Sequence, residues 1–100
     1  MKTTPLKLVT VVAESVLGDR ICEEMRSLGA KGFTVSEATG EGSRGLRTSE
    51  LGGKNVRIEA VVGPDAADRI LERLAERYFP HYAIIAFVHD VHVVRGDKYV

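Results

Sequence analysis

Hydrophobic and polar positions change period several times along the chain, and each change predicts an element. Leu6 to Ala13 (LKLVTVVA) is β-branched, with Pro5 before it and polar residues after, which predicts a first strand. Ser15 stands where a helix N-cap belongs. After it Leu17, Ile21, Met25 and Leu28 recur at three- and four-residue spacing, with Asp19, Arg20, Glu23, Glu24 and Arg26 between them. That is one amphipathic helix, closed by Gly29. Gly32 to Ala38 alternates, with Phe33 and Val35 on one face and Thr34 and Ser36 on the other, a second strand. Asn55 to Val62 (NVRIEAVV) sets Val56, Ile58, Ala60 and Val62 against Arg57, Glu59 and Val61, a third. Gly63-Pro64-Asp65 opens a second helix, with Pro64 suited to its first turn. Ile70, Leu71, Leu74 and Tyr78 form its apolar face, and Pro80 stops it. Tyr82 to Val88 (YAIIAFV) is apolar without alternation, which predicts a strand covered on both faces. Val91 to Val94 adds a short strand-like tail before Arg95-Gly96-Asp97-Lys98.

The order β-α-β-β-α-β predicts an α+β, ferredoxin-like sandwich: a four-stranded antiparallel sheet with both helices on one face. The other face then lies open in a single copy. The fourth strand is apolar throughout and the first nearly so, and an exposed apolar sheet face marks an interaction surface. The expectation is an oligomer in which sheets pack on each other. With 100 residues, of which 44% are hydrophobic, the chain has room for one core, so residues 1–100 read as one domain.

Charge narrows the function classes. Basic and acidic residues number 14 each, which argues against a general nucleic-acid binder. An RNA-recognition motif shares this element order, but its base-stacking aromatics are missing from LKLVTVVA and NVRIEAVV. Cys22 is the one cysteine, so no intrachain disulfide forms, in keeping with a reducing cytoplasm. The start has no charged and apolar leader pattern, and Ala83 to Val88 is too short to span a membrane, so direct membrane insertion is not expected. His81, His89 and His92 raise a metal reading. His89 and His92 sit three apart on a strand and so point to opposite faces, and no carboxylate or cysteine is spaced to complete a site. Glu14, Glu23 and Glu24 read as solvated charges, and Tyr78, Phe79 and Tyr82 as core or interface anchors. No catalytic constellation has a recognisable signature, so enzymatic activity is not expected.

The stretch ATGEGSRGLRTSELGGKN joins two strands that a turn of two to five residues would serve. Gly40, Gly42, Gly45, Gly52 and Gly53 make it supple. Glycine lets backbone N–H groups approach an anion, the Ser43 hydroxyl is another donor, and Arg44 and Arg47 offer bidentate donors for phosphate or carboxylate. It is not a Walker A loop, since GxxxxGK[ST] and its helix are missing. By composition the segment reads equally as a solvated hairpin loop. Arg95-Gly96-Asp97-Lys98 is a second basic turn; by itself it is a plain C-terminal turn, and with a neighbouring copy it closes over the same ligand.

Three segments, GFTVSEATGEGSRGLR, FPHYAIIAFVHDV and VVRGDKY, together give the chain a resemblance to the PII-like signal-transduction proteins over nearly its whole length. Within them it resembles the carbon-concentrating branch, the SbtB-like and carboxysome-associated proteins. The resemblance implies a homotrimer with helices outward, and a mobile T-loop at about residues 40–54. It implies adenine nucleotides (AMP, ADP, ATP or cyclic AMP) in clefts between subunits, with bicarbonate as a further ligand. It implies a bicarbonate transporter or carboxysome-associated protein as partner of the T-loop. Gly42, Ser43, Arg44 and Arg47 match the family's phosphate segment, and Arg95, Gly96 and Lys98 its basic turn across the cleft. Thr34, Ser36 and Val62 would lie near the base. The T-loop has no tyrosine, so uridylylation is not expected, and no paired cysteines follow the turn. Two other classes remain. A small phosphohydrolase of this fold would need a phosphate-cradling loop after the first strand, where AESVLG has no arginine. A nucleotide-independent docking module would use the loop as an arm.

Overall fold

Strand β1 (Thr4–Glu14) occupies the middle of the sheet, and everything else is placed by it. The computed structural model describes residues 1–40 and 54–100. After β1 come a single 3-10 turn (Ser15–Leu17), helix α1 (Gly18–Ser27), strand β2 (Thr34–Ala38), strand β3 (Asn55–Val62), helix α2 (Pro64–Arg77), strand β4 (Ile85–Val93) and a C-terminal 3-10 turn (Gly96–Tyr99). The sheet order is β2-β3-β1-β4, every pair antiparallel. This is the ferredoxin-like arrangement that the element order predicts.

Alternation sorts the strand residues onto two faces. Val9, Val11 and Ala13 of β1 pair with Ala60, Ile58 and Val56 of β3 and turn toward the helices. There they meet Ile21 and Met25 of α1 and Ala67, Ile70 and Leu74 of α2 in one buried cluster. Each large side chain in it contributes about 1.5–3 kcal/mol by leaving water. Gly29 closes α1 at φ 120°, a conformation that glycine adopts without Cβ strain. Pro64 takes the first helical position of α2.

The opposite face carries Leu6, Leu8, Thr10 and Val12 of β1 beside Val91, His89, Phe87 and Ile85 of β4. Toward the β2 edge it turns polar, with Arg57 and Glu59 of β3 and Thr34 and Ser36 of β2. No helix covers it. Ile85 is 59% exposed, yet Thr10, between Phe87 and Glu59 in the ladders, is fully buried. Its hydroxyl has no hydrogen-bond partner among the described residues.

Several expectations need correction. The apolar run and the tail after it are one strand, because β1 offers an unbroken partner from Thr4↔Val93 to Val12↔Ile85 and holds His89 and Asp90 in the ladder. Tyr82 stays outside that strand because its amide bonds back to the Tyr78 carbonyl in the turn that ends α2. In a single copy that strand is covered on its helix-side face, where Ala86 and Val88 pack on the core, while Ile85 on the other face is 59% exposed. Ser15 caps no helix: its hydroxyl turns to the Lys54 carbonyl, and α1 begins at Gly18 without a side-chain cap. Glu24 is not a free solvated charge. Only 19% exposed, it accepts from Arg73 at 2.8 Å and lies 3.8 Å from Arg77, tying α1 to α2.

Candidate ligand-binding site

The described residues that flank 41–53 form a neck whose parts are well separated in sequence. The β2–β3 ladder ends at Ala38↔Asn55, and the β1–β3 ladder at Glu14↔Asn55. One step further, the Ser15 amide and the Ser15 hydroxyl each donate to the Lys54 carbonyl at 2.6 Å. The Lys54 ammonium lies 3.6 Å from Glu37 on the outgoing leg, an exposed pair of small energetic weight. Gly42, Ser43, Arg44 and Arg47 lie outside the described residues. Thr34 and Ser36 lie on β2, exposed on the open face, with Ser36 opposite Arg57. Val62 is fully buried among the helices, so any contact it makes with a ligand falls to its backbone.

The C-terminal turn is built by close approach. A Cβ on Gly96 would stand 2.4 Å from Thr4 Cβ and 2.6 Å from Thr4 Oγ1, so only glycine lets the turn sit on the start of β1. Lys31 donates to the Val100 carbonyl and ties the turn to the connection after α1. Arg95, just before it, holds φ 63° and ψ 42°, a left-handed conformation that costs a non-glycine residue about 1–2 kcal/mol. Strain of this kind at a charged, exposed residue points toward a functional use of its side chain. No described acidic side chain lies within ion-pair distance of Arg95 or Lys98. Gly96→Ala is expected to destabilise the protein by about 1–3 kcal/mol through overpacking. Adding Thr4→Gly should restore most of the loss in urea denaturation.

Within one chain these two assemblies do not meet. The turn sits at the Thr4 end of β1 and the neck at the Glu14 end. The strand between them runs about 33 Å at a rise of roughly 3.3 Å per residue. An open groove among the described residues belongs to neither. It measures about 630 Å³ and lies between the helices, lined by Asp19, Arg20, Glu23, Glu24, Ser27, Arg77 and Tyr78. Its charges are largely paired within the chain, and Arg20 stacks on Tyr78 at 5.4 Å and on Tyr82 at 6.0 Å. The stacking latches α1 to the connection before β4. Phe79 is 42% exposed there, whereas Tyr78 is core.

Among the described residues nucleophilic and metal chemistry find little material. Burial pushes the Cys22 thiol up, away from thiolate reactivity. Among the described residues no group of three or more histidines, cysteines and carboxylates is placed to hold a metal ion. The Nitrogen regulatory protein P-II family matches residues 6–98.

The chain belongs to the P-II family.

A PII-like signaling protein from Thermus thermophilus is 55% identical, superimposes with a TM-score of 0.86, and is covered over 100% of both chains. The P-II-like CPII of Thiomonas intermedia, bound to ADP, AMP and bicarbonate, is 26% identical. Its TM-score is 0.89 over 98% of this chain and 96% of that one. CPII bound to ADP and bicarbonate is 27% identical at TM-score 0.88, over 99% and 98%. The sequence reading missed two parts of this P-II chain's neck, Ser15 and Lys54. The first looks like a helix cap, and the second carries no pattern of its own. What links them is a contact across 39 residues.

Proposed function

We propose that the chain is a nucleotide-responsive regulatory subunit of the carbon-concentrating, SbtB-like and carboxysome-associated kind. It is a single-domain protein working as a homotrimer in the cytoplasm. Adenine nucleotide (AMP, ADP, ATP or cyclic AMP), together with bicarbonate, binds in the clefts between copies. Arg44 and Arg47 of one copy hold the phosphates, with Gly42 and Ser43 supplying backbone and hydroxyl donors. Arg95 and Lys98 close the site from the neighbouring copy, and Thr34, Ser36 and the Val62 backbone lie near its base. The occupied site orders the T-loop, which then engages a bicarbonate transporter or a carboxysome-associated protein and regulates inorganic-carbon uptake or fixation. The role is sensing, not catalysis.

What supports the reading most is the separation of the basic turn from the neck by the length of β1, alongside an open apolar sheet face. The neck and the basic turn come together only if a second copy supplies the turn, whereas Val62, opposite Lys7 in the ladder and next to Gly63 against Val100, already lies near the turn of its own chain. The ligands of the CPII relatives, ADP with bicarbonate, favour nucleotide as the occupant. A ligand moves the loop only as far as it prefers the ordered state, so affinity and loop state are linked.

Calorimetric titration with AMP, ADP, ATP and cyclic AMP, each with and without bicarbonate, tests the reading, with sedimentation equilibrium on the same sample. The expected result is three times the chain mass and one nucleotide per chain, bound more tightly when bicarbonate is present. A monomer, or no binding at millimolar nucleotide, would overturn it and leave the loop as a docking arm.

A further inference from the structure

We infer that the assembly of copies through the open sheet face is gated by the protonation of His89, so that acid drives the copies apart. This rests on the homotrimer proposed above. His89 lies opposite Leu8 in the β1–β4 ladder, with Phe87 before it and Val91 after it on the same face. Its ring meets the Phe87 ring edge-on at 5.4 Å. In a single copy it is exposed, in the middle of an apolar stripe that also takes in Val12 and Ile85.

The face suits a second copy of itself. Its strands span about 33 Å by about 14 Å, on the order of 500 Å² per copy, so two copies cover about 1,000 Å², the size at which a specific contact begins. Its charges largely cancel. Arg57 and Glu59 of β3 lie 3.3 Å apart, and Glu14 stands at the far end of β1. Such a face meets its own copy with little repulsion, whereas a strongly charged partner gains little from it.

His89 alters that balance, because histidine is the side chain that ordinarily changes charge between pH 5 and 8. Facing it from β1 are Leu6, Leu8 and Thr10, none of them charged. On β3, one strand further, lie Val61 and Glu59, and Glu59 is held by Arg57. Asp90 and His92 turn to the helix side, where Lys7 takes Asp90. The contact with Phe87 is inside one chain and is the same in separate and assembled copies. What assembly changes is water. Burying a neutral imidazole among leucine and valine costs little, and burying an imidazolium there costs far more. Separate copies therefore bind protons more readily than assembled ones. By linkage, assembly is strongest where His89 is neutral and weakens as pH falls through the histidine range.

The test is sedimentation equilibrium of the unmodified protein at about pH 8 and about pH 5.5, with His89→Gln, His81→Gln and His92→Gln beside it. Far-UV circular dichroism of the same samples reports whether the copies stay folded. The expected result is a trimer at the higher pH and folded, separating copies at the lower, with the dissociation concentration rising at least about tenfold. His89→Gln should stay assembled at both, while His81→Gln and His92→Gln separate as the unmodified protein does. Should the glutamine variant not assemble at the higher pH, His89→Phe carries the comparison, keeping a flat ring that takes no proton. A trimer that holds unchanged at the lower pH would overturn the gate and leave the homotrimer standing. So would a pH dependence that survives the loss of His89, the failure of both His89 variants to assemble, or unfolding in place of separation. A monomer already at the higher pH would overturn the homotrimer itself and the gate with it, leaving the face to a different protein.

Discussion

Replacing Arg44 with alanine is expected to weaken ADP binding roughly ten- to a hundredfold, the equivalent of about 1.5–3 kcal/mol for a charge-assisted hydrogen bond. The guanidinium is planar and permanently charged, and it presents paired N–H donors that match two phosphate oxygens at once. An ammonium offers charge without that fork, so Arg44→Lys should recover only part of the loss. The affinity should also fall with added salt, less steeply in the alanine variant, because one screened attraction has been removed. Calorimetry at two ionic strengths measures both effects. Thermal melting of the ligand-free protein separates a lost contact from a lost fold. Unchanged affinity in Arg44→Ala would remove the phosphate role from the segment.

Replacing Ile21 with alanine should produce the largest loss of stability, about 2–5 kcal/mol. Ile21 is fully buried between α1 and the sheet, amid Val9, Val11 and Ile58 in one continuous cluster. The deletion removes the transfer energy of the lost carbons and leaves a void that rigid strands cannot collapse to fill. For a domain of this size that lowers the melting temperature by roughly 10–30 °C. The neck and the C-terminal turn use other residues, so ADP affinity per folded molecule should be nearly unchanged. Urea denaturation and titration of the same sample read the two quantities apart. A large affinity loss from Ile21→Ala would mean that helix packing and the ligand site are coupled more strongly than their contacts suggest.

The two predictions differ in what made them legible. Ile21 declares itself by periodicity, since it recurs with Leu17 and Met25 on one helical face, and the structure buries all three. Arg44 declares itself by chemistry: glycine, serine and arginine in one polar stretch suit an anion whatever their exact positions. The residues that connect them to the fold gave no such sign. Glu24 looks like any other carboxylate on a polar helix face, but half-burial and two arginines of α2 make it a tie between helices. Gly96 looks like an ordinary turn glycine. Only its approach to Thr4, at the other end of the chain, explains why no other residue fits.

By itself the sequence determined the kinds and order of the elements. Asn55–Val62 is a strand end to end because its alternation is broken only at Val61, and α2 opens on Pro64 as its sequence requires. It also supplied the two basic, glycine-containing segments and the likeness to the P-II family. Tertiary structure alone decided what each element touches. It merged two apolar runs into one strand because β1 was there to pair with both. It buried Thr10 on a face that no helix covers, turned Ser15 from a helix cap to the neck of a loop, and set the neck and the basic turn at opposite ends of one strand. Periodicity is a local property that reports only which side of an element avoids water. Register, close approach and the direction of a donor depend on residues tens of positions away, and these are fixed only when the sheet closes.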